Sequence, residues 1–302
     1  MIKKLSYQQA MKSLRPIEKI ISPPPYHWVG NGFKVHNFLP GDGKLGLQRM
    51  SPFFLMDYNS KTLFTPTDQP RGVGVHPHRG FETVTIAYHG KVAHHDSEGY
   101  HGLISQGDVQ WMTAASGILH KEYHDKEWSK KGGYFQMVQL WVNLPAKYKM
   151  SQPKYQAILG NQMGRYFLED SKSFIEVIAG NYKSAKGPAS TFTPIEMYNA
   201  KLEKDICCSF NFPDQYNTAF LVIEGNIEIN NTVVYTNNFV LFSNEAGDIN
   251  IKSLEKSTIL ILSGEPINEP IYPYGPFLMN TKQEIIEAYH DLENGKFGQL
   301  ND

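Results

Sequence analysis

The sequence is poor in cysteine and has no strong excess of charge of either sign. Its two cysteines, Cys207 and Cys208, are adjacent, and neighbouring residues of a strand point to opposite faces, so a disulfide between them is disfavoured. The 302 residues include 29 Lys plus Arg against 30 Asp plus Glu, a net charge of −1. This composition predicts a reduced, cytoplasmic protein. It argues against direct binding of nucleic acid, which needs a strongly positive face.

Long apolar runs are also missing. The longest ones, residues 219–223 and 259–262, have the length of a strand and fall far short of the ~20 residues that a membrane helix needs. The basic N-terminal residues are not followed by an apolar stretch typical of a signal peptide. No catalytic Ser-His-Asp arrangement, P-loop or dinucleotide-binding glycine pattern stands in a suitable context. The sequence therefore gives no support to a membrane protein, a hydrolase, a kinase or a nicotinamide enzyme.

What the sequence does contain is mostly short β-type segments. Clusters of Gly, Asn and Asp separate them at short intervals, a pattern typical of barrels and sandwiches. The predicted strands are 83–88, 109–113, 135–142, 174–178, 219–224, 240–242 and 258–262. One helix is predicted near residues 281–294, where Thr281 and Glu284 form a capping box and Gly295 ends the helical pattern. The prediction is an all-β protein with a short C-terminal helix.

A weak internal repeat suggests two halves. TVTIAYHGKVAHH, from Thr83, resembles TAFLVIEGNIEIN, from Thr218, and each has a turn glycine, Gly90 or Gly225, between two strands. The length suits two domains of about 150 residues. We therefore predict an N-terminal barrel over residues 1–150 and a C-terminal barrel over residues 151–302. The junction is expected near residues 145–160, where Pro145 is one of the interruptions.

Histidines occur almost only in the first half, where two short pairs stand out. Ten of the eleven lie between His27 and His124. His76 and His78 occur in HPHRGFE, and about forty residues later His120 and Glu122 have the same spacing in GILHKE. Residues i and i+2 of a strand share a face, so each pair can converge on one point. A lone His-x-His more often has no metal, but a second pair of ligand-type residues favours a shared metal site.

Three imidazoles and one carboxylate suit Fe(II), Mn(II), Ni(II), Zn(II) or Cu(II) and lack the thiolates of a closed structural zinc site. Such a set leaves coordination positions open in a six-coordinate metal. Open positions indicate catalysis or ligand sensing rather than a structural role. The residues alone identify no substrate.

Other residues near these pairs were weighed as candidates. Four of them are placed in or near the turn after residues 91–93, where hydrogen bonds to the loop backbone are favoured over substrate positioning: His94, His95, Asp96 and His101. Core or wall packing is favoured for Phe53, Met56, Gln110, Trp111 and Met112. Gln139 and Trp141 share a strand face, and one of them is expected to line the cavity. His27 and His124 are expected at the solvent or at an interface.

Four longer motifs carry a family resemblance. HPHRGFET, GDVQWMTAASGILHKE, LWVNLP and GEPINEPIYPYGPFLMNTKQEI resemble the motifs of the pirin family, and the match runs in order from about Phe53 to Gly298. This resemblance implies a bicupin fold, with two β-barrel (cupin, or jelly-roll) domains face to face and a short C-terminal helix. The segment before Gly30 is longer than is common in the family.

The resemblance also implies a ligand set. His76, His78, His120 and Glu122 match the positions that bind one divalent metal in the first barrel, usually Fe(II), with Ni, Mn, Zn, Cu or Co as alternatives. The C-terminal barrel lacks such ligands. Glu82 holds the glutamate position of the general cupin pattern, and strand parity places it on the face of His76. We expect it to hydrogen-bond a ligand imidazole, with ligation as the less favoured role.

The activity implied by the resemblance is that of a metal-dependent dioxygenase of the quercetin 2,3-dioxygenase type. It cleaves a small aromatic chelating substrate, a flavonol or similar enol, with O2, and Glu122 or Glu82 accepts the substrate proton. The alternative is a redox- or metal-responsive regulator that binds a transcription factor or a metabolic enzyme without turnover of its own. A sugar-type cupin isomerase that uses zinc is a weaker third candidate.

Overall fold

Most of the chain folds into β-strands in the computed structural model, which describes residues 13–41 and 45–301. The strands of the first half are β1 Ile17–Ile21, β2 His27–Val29, β3 Phe33–Leu39, β4 Phe53–Phe64, β5 Gly72–His78, β6 Phe81–His89, β7 Lys91–Asp96, β8 His101–Ser105, β9 Val109–Thr113, β10 Ile118–His124 and β11 Gly133–Asn143. A short helix, α1 Lys126–Lys131, precedes β11, and one turn of 3-10 helix, Ala146–Tyr148, follows it. Neither short helix was predicted.

The second half contains the remaining strands. They are β12 Lys154–Ile158, β13 Gly164–Phe167, β14 Phe174–Ala179, β15 Asn181–Tyr182, β16 Ala185–Lys186, β17 Ile195–Leu202, β18 Cys207–Asn211, β19 Asn217–Glu224, β20 Ile227–Ile229, β21 Thr232–Val234, β22 Phe239–Phe242, β23 Asp248–Ser253, β24 Ser257–Gly264, β25 Tyr272–Tyr274 and β26 Phe277–Met279. Each of the seven strands predicted from the sequence is present, and the all-β prediction is confirmed.

Two barrels of the same design make up the fold. The first pairs a seven-stranded sheet, in the order β12-β9-β6-β11-β4-β3-β2, with a four-stranded sheet, β5-β10-β7-β8. The second pairs β1-β22-β19-β24-β17-β14-β13 with β18-β23-β20-β21. The turn glycines of the sequence repeat occupy equivalent places, after β6 and after β19. Both have a positive φ, 87° at Gly90 and 78° at Gly225, which a glycine adopts without strain. The internal repeat therefore reflects the fold.

The two barrels exchange one edge strand each. β1, at the start of the chain, pairs with β22 of the second barrel, and β12, from the start of the second half, pairs with β9 of the first. β12 also lies inside the segment that was predicted as a junction. The division of the domains at residue 150 stays a prediction, and strands pair across it in both directions.

The seven-stranded sheets face each other, as the family resemblance implies. One buried apolar cluster contains Met56 and Leu140 of the first barrel together with Leu221 and Leu262 of the second. β6 is buried along residues 81–87, because one of its faces meets the second barrel and the other meets the interior of its own. The second barrel's own interior is filled by apolar and aromatic side chains, among them Phe210.

The C-terminal helix α2 Lys282–Glu293 is confirmed, together with its capping box. The Thr281 hydroxyl accepts a hydrogen bond from the Glu284 backbone N–H at 3.2 Å, and the Glu284 carboxylate accepts one from the Thr281 backbone N–H at 2.7 Å. Its buried side chains, Ile285 and Ala288, pack with Phe277 and Phe297. No helix in the described part of the chain is long and apolar enough to cross a membrane.

Arg15 fastens the N-terminal segment to the second barrel. Its guanidinium is fully buried and donates to the backbone carbonyls of Ser243, Pro213, Asp214 and Tyr216 at 2.6–3.2 Å. Of the longer segment predicted before Gly30, residues 1–12 lie outside the described residues. The part from Arg15 onward supplies β1 and β2, and so belongs to both barrels.

Candidate metal centre

Three histidines converge at one end of the first barrel. β5 and β10 are antiparallel neighbours, with His120 opposite His76 and Ile118 opposite His78. The ring centroids lie 4.2 Å apart for His76 and His120, 4.7 Å for His78 and His120, and 4.8 Å for His76 and His78. One nitrogen from each ring lies within 4.8 Å of the others. The convergence expected from the i,i+2 spacing is therefore present for all three imidazoles.

Burial prepares these imidazoles to bind a cation. It lowers the pKa of His76 and holds the pKa values of His78 and His120 well below the ordinary value, so the rings are neutral and keep a lone pair at neutral pH. The Gly74 carbonyl lies 2.8 Å from His76 Nδ1, which fixes the tautomer with Nε2 free. Both nitrogens of buried His120 have no hydrogen-bond partner among the described residues, a rare and costly state. A bound metal would satisfy one of these two nitrogens, so the residues fit a metal ion.

Glu122 lies at the same cavity but outside the tight group of three. The pairing of β10 with β5 shifts register between His120 and Glu122, which interrupts the regular i,i+2 alignment. The Thr85 hydroxyl donates to Gln139 Oε1 at 2.5 Å, and Glu122 Oε1 lies 3.3 Å from the same hydroxyl. Burial raises the pKa of Glu122 to about 7. Its place as the fourth ligand stays a prediction.

Glu82 differs from the expectation. It is buried, and it accepts a hydrogen bond from Thr113 Oγ1 at 2.7 Å, not from a ligand imidazole. The cause is the break between β5 and β6 at Arg79 and Gly80, which places the two strands in different sheets. Strand parity counted from His78 therefore does not carry over to Glu82. The predicted contact with the ligand histidines is not made.

The state of Glu82 leads to a prediction about pH. Burial raises its pKa from 4.5 to about 7, so the folded protein binds this proton more tightly than the unfolded chain does. The contribution of Glu82 to the free energy of unfolding must then fall as pH rises from 4.5 to 7. Between pH 4.5 and 7, ionisation of Glu82 lowers the unfolding free energy of the metal-free protein by about 3 kcal/mol. We expect Glu82→Gln to remove this pH dependence. Urea unfolding at several pH values measures it.

Glu98→Gln is the matched control, because Glu98 is exposed. Its unfolding free energy should follow the wild-type pH profile. A Glu82→Gln profile that runs parallel to the wild type between pH 4.5 and 8 would show that the Glu82 proton is not held by the fold.

A cavity of about 280 Å³ opens beside the histidines. Its lining is largely apolar, with a few polar groups: Val29, Phe33, Val35, Leu55, Asp57, Val73, His76, His78, Glu122, Met137, Gln139 and Trp141. Both Gln139 and Trp141 line it, where only one of them was expected. Asp57 was missed by the sequence analysis, although a lone charge in the apolar strand FFLMDYN is a usable signal. The site combines metal-type ligands with an apolar chamber.

The expected turn after residues 91–93 is in fact strand. β7 runs through Asp96 and pairs with β8, which places His94 in the buried interior with its Nε2 2.6 Å from the Tyr155 hydroxyl. Asp96 does cap the following turn, since its Oδ1 accepts from the Glu98 and Tyr100 backbone N–H groups at 3.0 and 2.9 Å. The loop interpretation is correct for Asp96 and wrong for His94.

His95 and His101 lie opposite each other in β7 and β8, with ring centroids 5.8 Å apart. They were also expected in the turn, and that expectation is wrong for His95 in particular, since it continues β7. The Tyr123 hydroxyl lies 2.9 Å from His95 Nδ1. This pair is on the outer face of the sheet, away from the three convergent histidines.

His124 is the clearest error among the histidines. The sequence places it at the solvent or at an interface, but it is fully buried inside the fold among four aromatic rings whose centroids lie 4.4–5.6 Å away. These rings are those of Phe33, Phe64, Trp128 and Phe135. His27 is exposed, as expected. Phe53, Met56, Gln110, Trp111 and Met112 are all buried, which agrees with their predicted packing role.

Two buried basic side chains hold the turn that follows the strand of His76 and His78. Arg79 Nε donates to the Ser116 carbonyl at 2.6 Å, and its Nη2 pairs with Asp291 of α2 at 3.0 Å. Lys149 Nζ donates to the Gly80 carbonyl at 2.7 Å, and to the Leu278 carbonyl and Asn143 Oδ1 at 2.6 Å. The sequence analysis missed these residues, because their partners are distant along the chain.

Two protein-family models match the chain, one in each barrel. The family description "Pirin" matches residues 32–142, and "Pirin C-terminal cupin domain" matches residues 197–298. The chain is 44% identical over 271 residues to a Pseudomonas aeruginosa protein named "Putative quercetin 2,3-dioxygenase", with 90% of this chain and 94% of that protein covered. It is 34% identical over 278 residues to Pirin-1 of Arabidopsis thaliana, with coverage of 89% and 90%.

A solved structure shares the whole fold. The crystal structure of quercetin 2,3-dioxygenase from Acinetobacter baumannii superposes with a TM-score of 0.90 at 44% sequence identity. The superposition covers 96% of this chain and all of that one. The two-barrel arrangement is therefore an experimentally observed architecture at this level of sequence similarity.

Proposed function

The chain belongs to the pirin family, and from that premise we propose that it is a metal-dependent dioxygenase. The proposed reaction is the cleavage of a flavonol, or of a similar chelating enol, with O2. The observation that carries the proposal is the convergence of three neutral imidazoles, of which His78 and His120 are buried and His76 is half-buried, beside an apolar cavity. Relatives of the chain that bear a quercetin 2,3-dioxygenase name support the substrate class.

We assign the metal to His76, His78, His120 and Glu122. Three neutral nitrogens and one carboxylate oxygen suit several divalent first-row ions, and we propose Fe(II) first, with Ni, Mn, Zn, Cu and Co as alternatives. When bound, such an ion acts as a Lewis acid toward paired oxygens of a substrate and lowers the pKa of the hydroxyl. The unpaired nitrogens of His120 and the free Nε2 of His76 support this assignment.

The residues of the chain position the substrate and move its proton. Leu55 and Trp141, together with the other apolar groups of the cavity, exclude water and hold a flat ligand. Glu122, whose Oε1 lies 3.3 Å from the Thr85 hydroxyl, is proposed to take the substrate's hydroxyl proton when the substrate displaces it from the metal. Glu82, bonded to Thr113, is less suited as the base, because its hydrogen bond directs it away from the ligand histidines.

The test is turnover of quercetin in air by metal-loaded protein. Loss of the flavonol absorption band and release of carbon monoxide are followed, with the metal content measured beforehand. We expect His76→Ala and Glu122→Ala to lower kcat by at least ~100-fold, since each removes a proposed ligand, a larger loss than the 10–100-fold cost of an outer partner. His101→Ala, at an exposed histidine on the other face, is the control and should keep wild-type activity.

Absence of turnover with every first-row ion would overturn the dioxygenase proposal. Redox-dependent capture of a protein partner by the same metal-loaded sample would then support the regulatory alternative. An isomerase activity that depends on zinc would identify the third candidate.

A further inference from the structure

A row of polar side chains crosses the seven-stranded sheet of the first barrel at the cavity. In successive strands Thr85 lies opposite Gln139, Gln139 opposite Asp57, and Asp57 opposite Asn37. Hydrogen bonds join the ends of the row, from Thr85 Oγ1 to Gln139 Oε1 at 2.5 Å and from Asn37 Nδ2 to Asp57 Oδ1 at 2.7 Å. Thr85 also binds Glu122. The row therefore starts at the metal end of the cavity and leads away from it.

Asp57 is the carboxylate of this row, and its position is fixed. Asn37 holds Oδ1, and Asn37 is itself held, because it donates to the Leu39 carbonyl at 2.8 Å and accepts from the Gly41 backbone N–H at 3.0 Å. In residues 13–41 and 45–301 the Asn37 amide is the one side-chain or backbone donor bonded to the Asp57 carboxylate. Burial raises the pKa of Asp57, against the lowering effect of the Asn37 hydrogen bond.

Apart from Gln139 on the neighbouring strand and the nearby His27, the surroundings of Asp57 in the cavity are apolar. The lining residues other than the histidines, Glu122, Gln139 and Asp57 are Val29, Phe33, Val35, Leu55, Val73, Met137 and Trp141. A carboxylate placed in such a wall costs free energy unless a donor reaches it. From Thr85, beside Glu122, to Asp57 is two strand spacings, or about 10 Å. A flat three-ring ligand such as a flavonol has about that overall length.

We propose that Asp57 is the second anchor of the substrate and accepts a hydrogen bond from a hydroxyl at the end farthest from the chelating pair. The inference rests on the proposed function and narrows its substrate class. The preferred substrate is a flat polyhydroxylated aromatic with a hydroxyl on a distant ring, not a small chelating enol. Asp57 is a specificity-determining residue, and a ligand fixed at both ends has one orientation in the chamber.

Binding to the zinc-loaded full chain under argon tests this without turnover. The probes are 3-hydroxyflavone, which carries the chelating pair alone, 3,7-dihydroxyflavone and 3,4′-dihydroxyflavone, and quenching of tryptophan fluorescence gives Kd. A hydrogen bond to a charged group corresponds to roughly a 10-fold change or more in affinity. We expect wild type to bind one of the dihydroxy probes at least ~10-fold more tightly than 3-hydroxyflavone. Asp57→Leu should erase that preference, and Asp57→Asn should reduce it.

Leu55→Ala is the matched control, because Leu55 lies two residues away on the same strand and lines the same cavity. It should weaken the three probes equally. Equal weakening by Asp57→Leu, or a wild type without preference, would overturn the role of Asp57.

Turnover of quercetin by the iron-loaded wild type in air separates the two proposals. If the protein turns over quercetin but Asp57 has no effect on probe preference, the dioxygenase proposal holds and the proposed role of Asp57 is wrong. If binding preference depends on Asp57 but quercetin is not turned over, the proposed role of Asp57 holds and the dioxygenase proposal is wrong. Failure to bind any probe contradicts both.

Discussion

Replacing His120 by leucine is expected to abolish metal binding without weakening the metal-free fold. Both nitrogens of His120 are buried and have no partner in the described residues, so the imidazole contributes unsatisfied polar atoms to the apo protein. An apolar side chain of similar size removes that cost, and the unfolding free energy should stay equal or rise by about 1–2 kcal/mol. Metal affinity should fall by more than ~100-fold, since a direct ligand matters more than an outer partner.

The measurement compares unfolding with and without added metal. Wild type should gain about 3 kcal/mol at a free-ion concentration of 100 times Kd, and His120→Leu should gain nothing. His101→Leu, at an exposed histidine, is the control and should show the full wild-type gain. A His120→Leu protein that is weakened without metal, but still gains stability on adding the ion, would mean that His120 serves packing alone.

Lys149→Met is expected to cause a large loss of stability. The buried ammonium bonds three oxygen acceptors, and methionine fills the space but leaves all three without a donor. Each buried acceptor without a donor costs roughly 1–3 kcal/mol, and we expect the unfolding free energy to fall by about 4 kcal/mol in total. Because one acceptor is the carbonyl of Gly80, two residues after His78, metal affinity should fall as well, by about 10-fold.

Guanidinium unfolding and metal titration of Lys149→Met measure the two effects. Lys147→Met is the control, since Lys147 stands in the same loop but is exposed, and it should match wild type in both. A Lys149→Met variant as stable as Lys147→Met would show that water satisfies the three acceptors.

Local sequence pattern was enough to predict the strands and the convergence of three histidines. Alternation and β-branched composition placed β9 at Val109–Thr113 with its observed bounds, because strand patterning is a property of consecutive residues. The i,i+2 rule brought His76 and His78 together for the same reason. The capping box at Thr281 correctly predicted the start of α2.

What failed depends on contacts between distant parts of the chain. His124 is buried because rings from β3, β4, α1 and β11 surround it, and no local pattern reveals that. Glu82 was misplaced because the chain passes from one sheet to the other at Gly80, where φ is +91°. The part played by Lys149 depends on Leu278, 129 residues away along the chain.

The reciprocal exchange of β1 and β12 between the barrels determines how truncated or divided forms of the protein behave. A protein that starts after Ile21 would keep strands β2 to β11 of the first barrel. The damage would appear in the second barrel, where β22 would lose its neighbour and Arg15 would no longer bridge the loops that carry Pro213 and Ser243. Likewise, if the chain is divided near residue 150, each fragment contains an edge strand, β1 or β12, that pairs with a sheet of the other fragment. We expect them to be insoluble apart and to reconstitute when co-expressed.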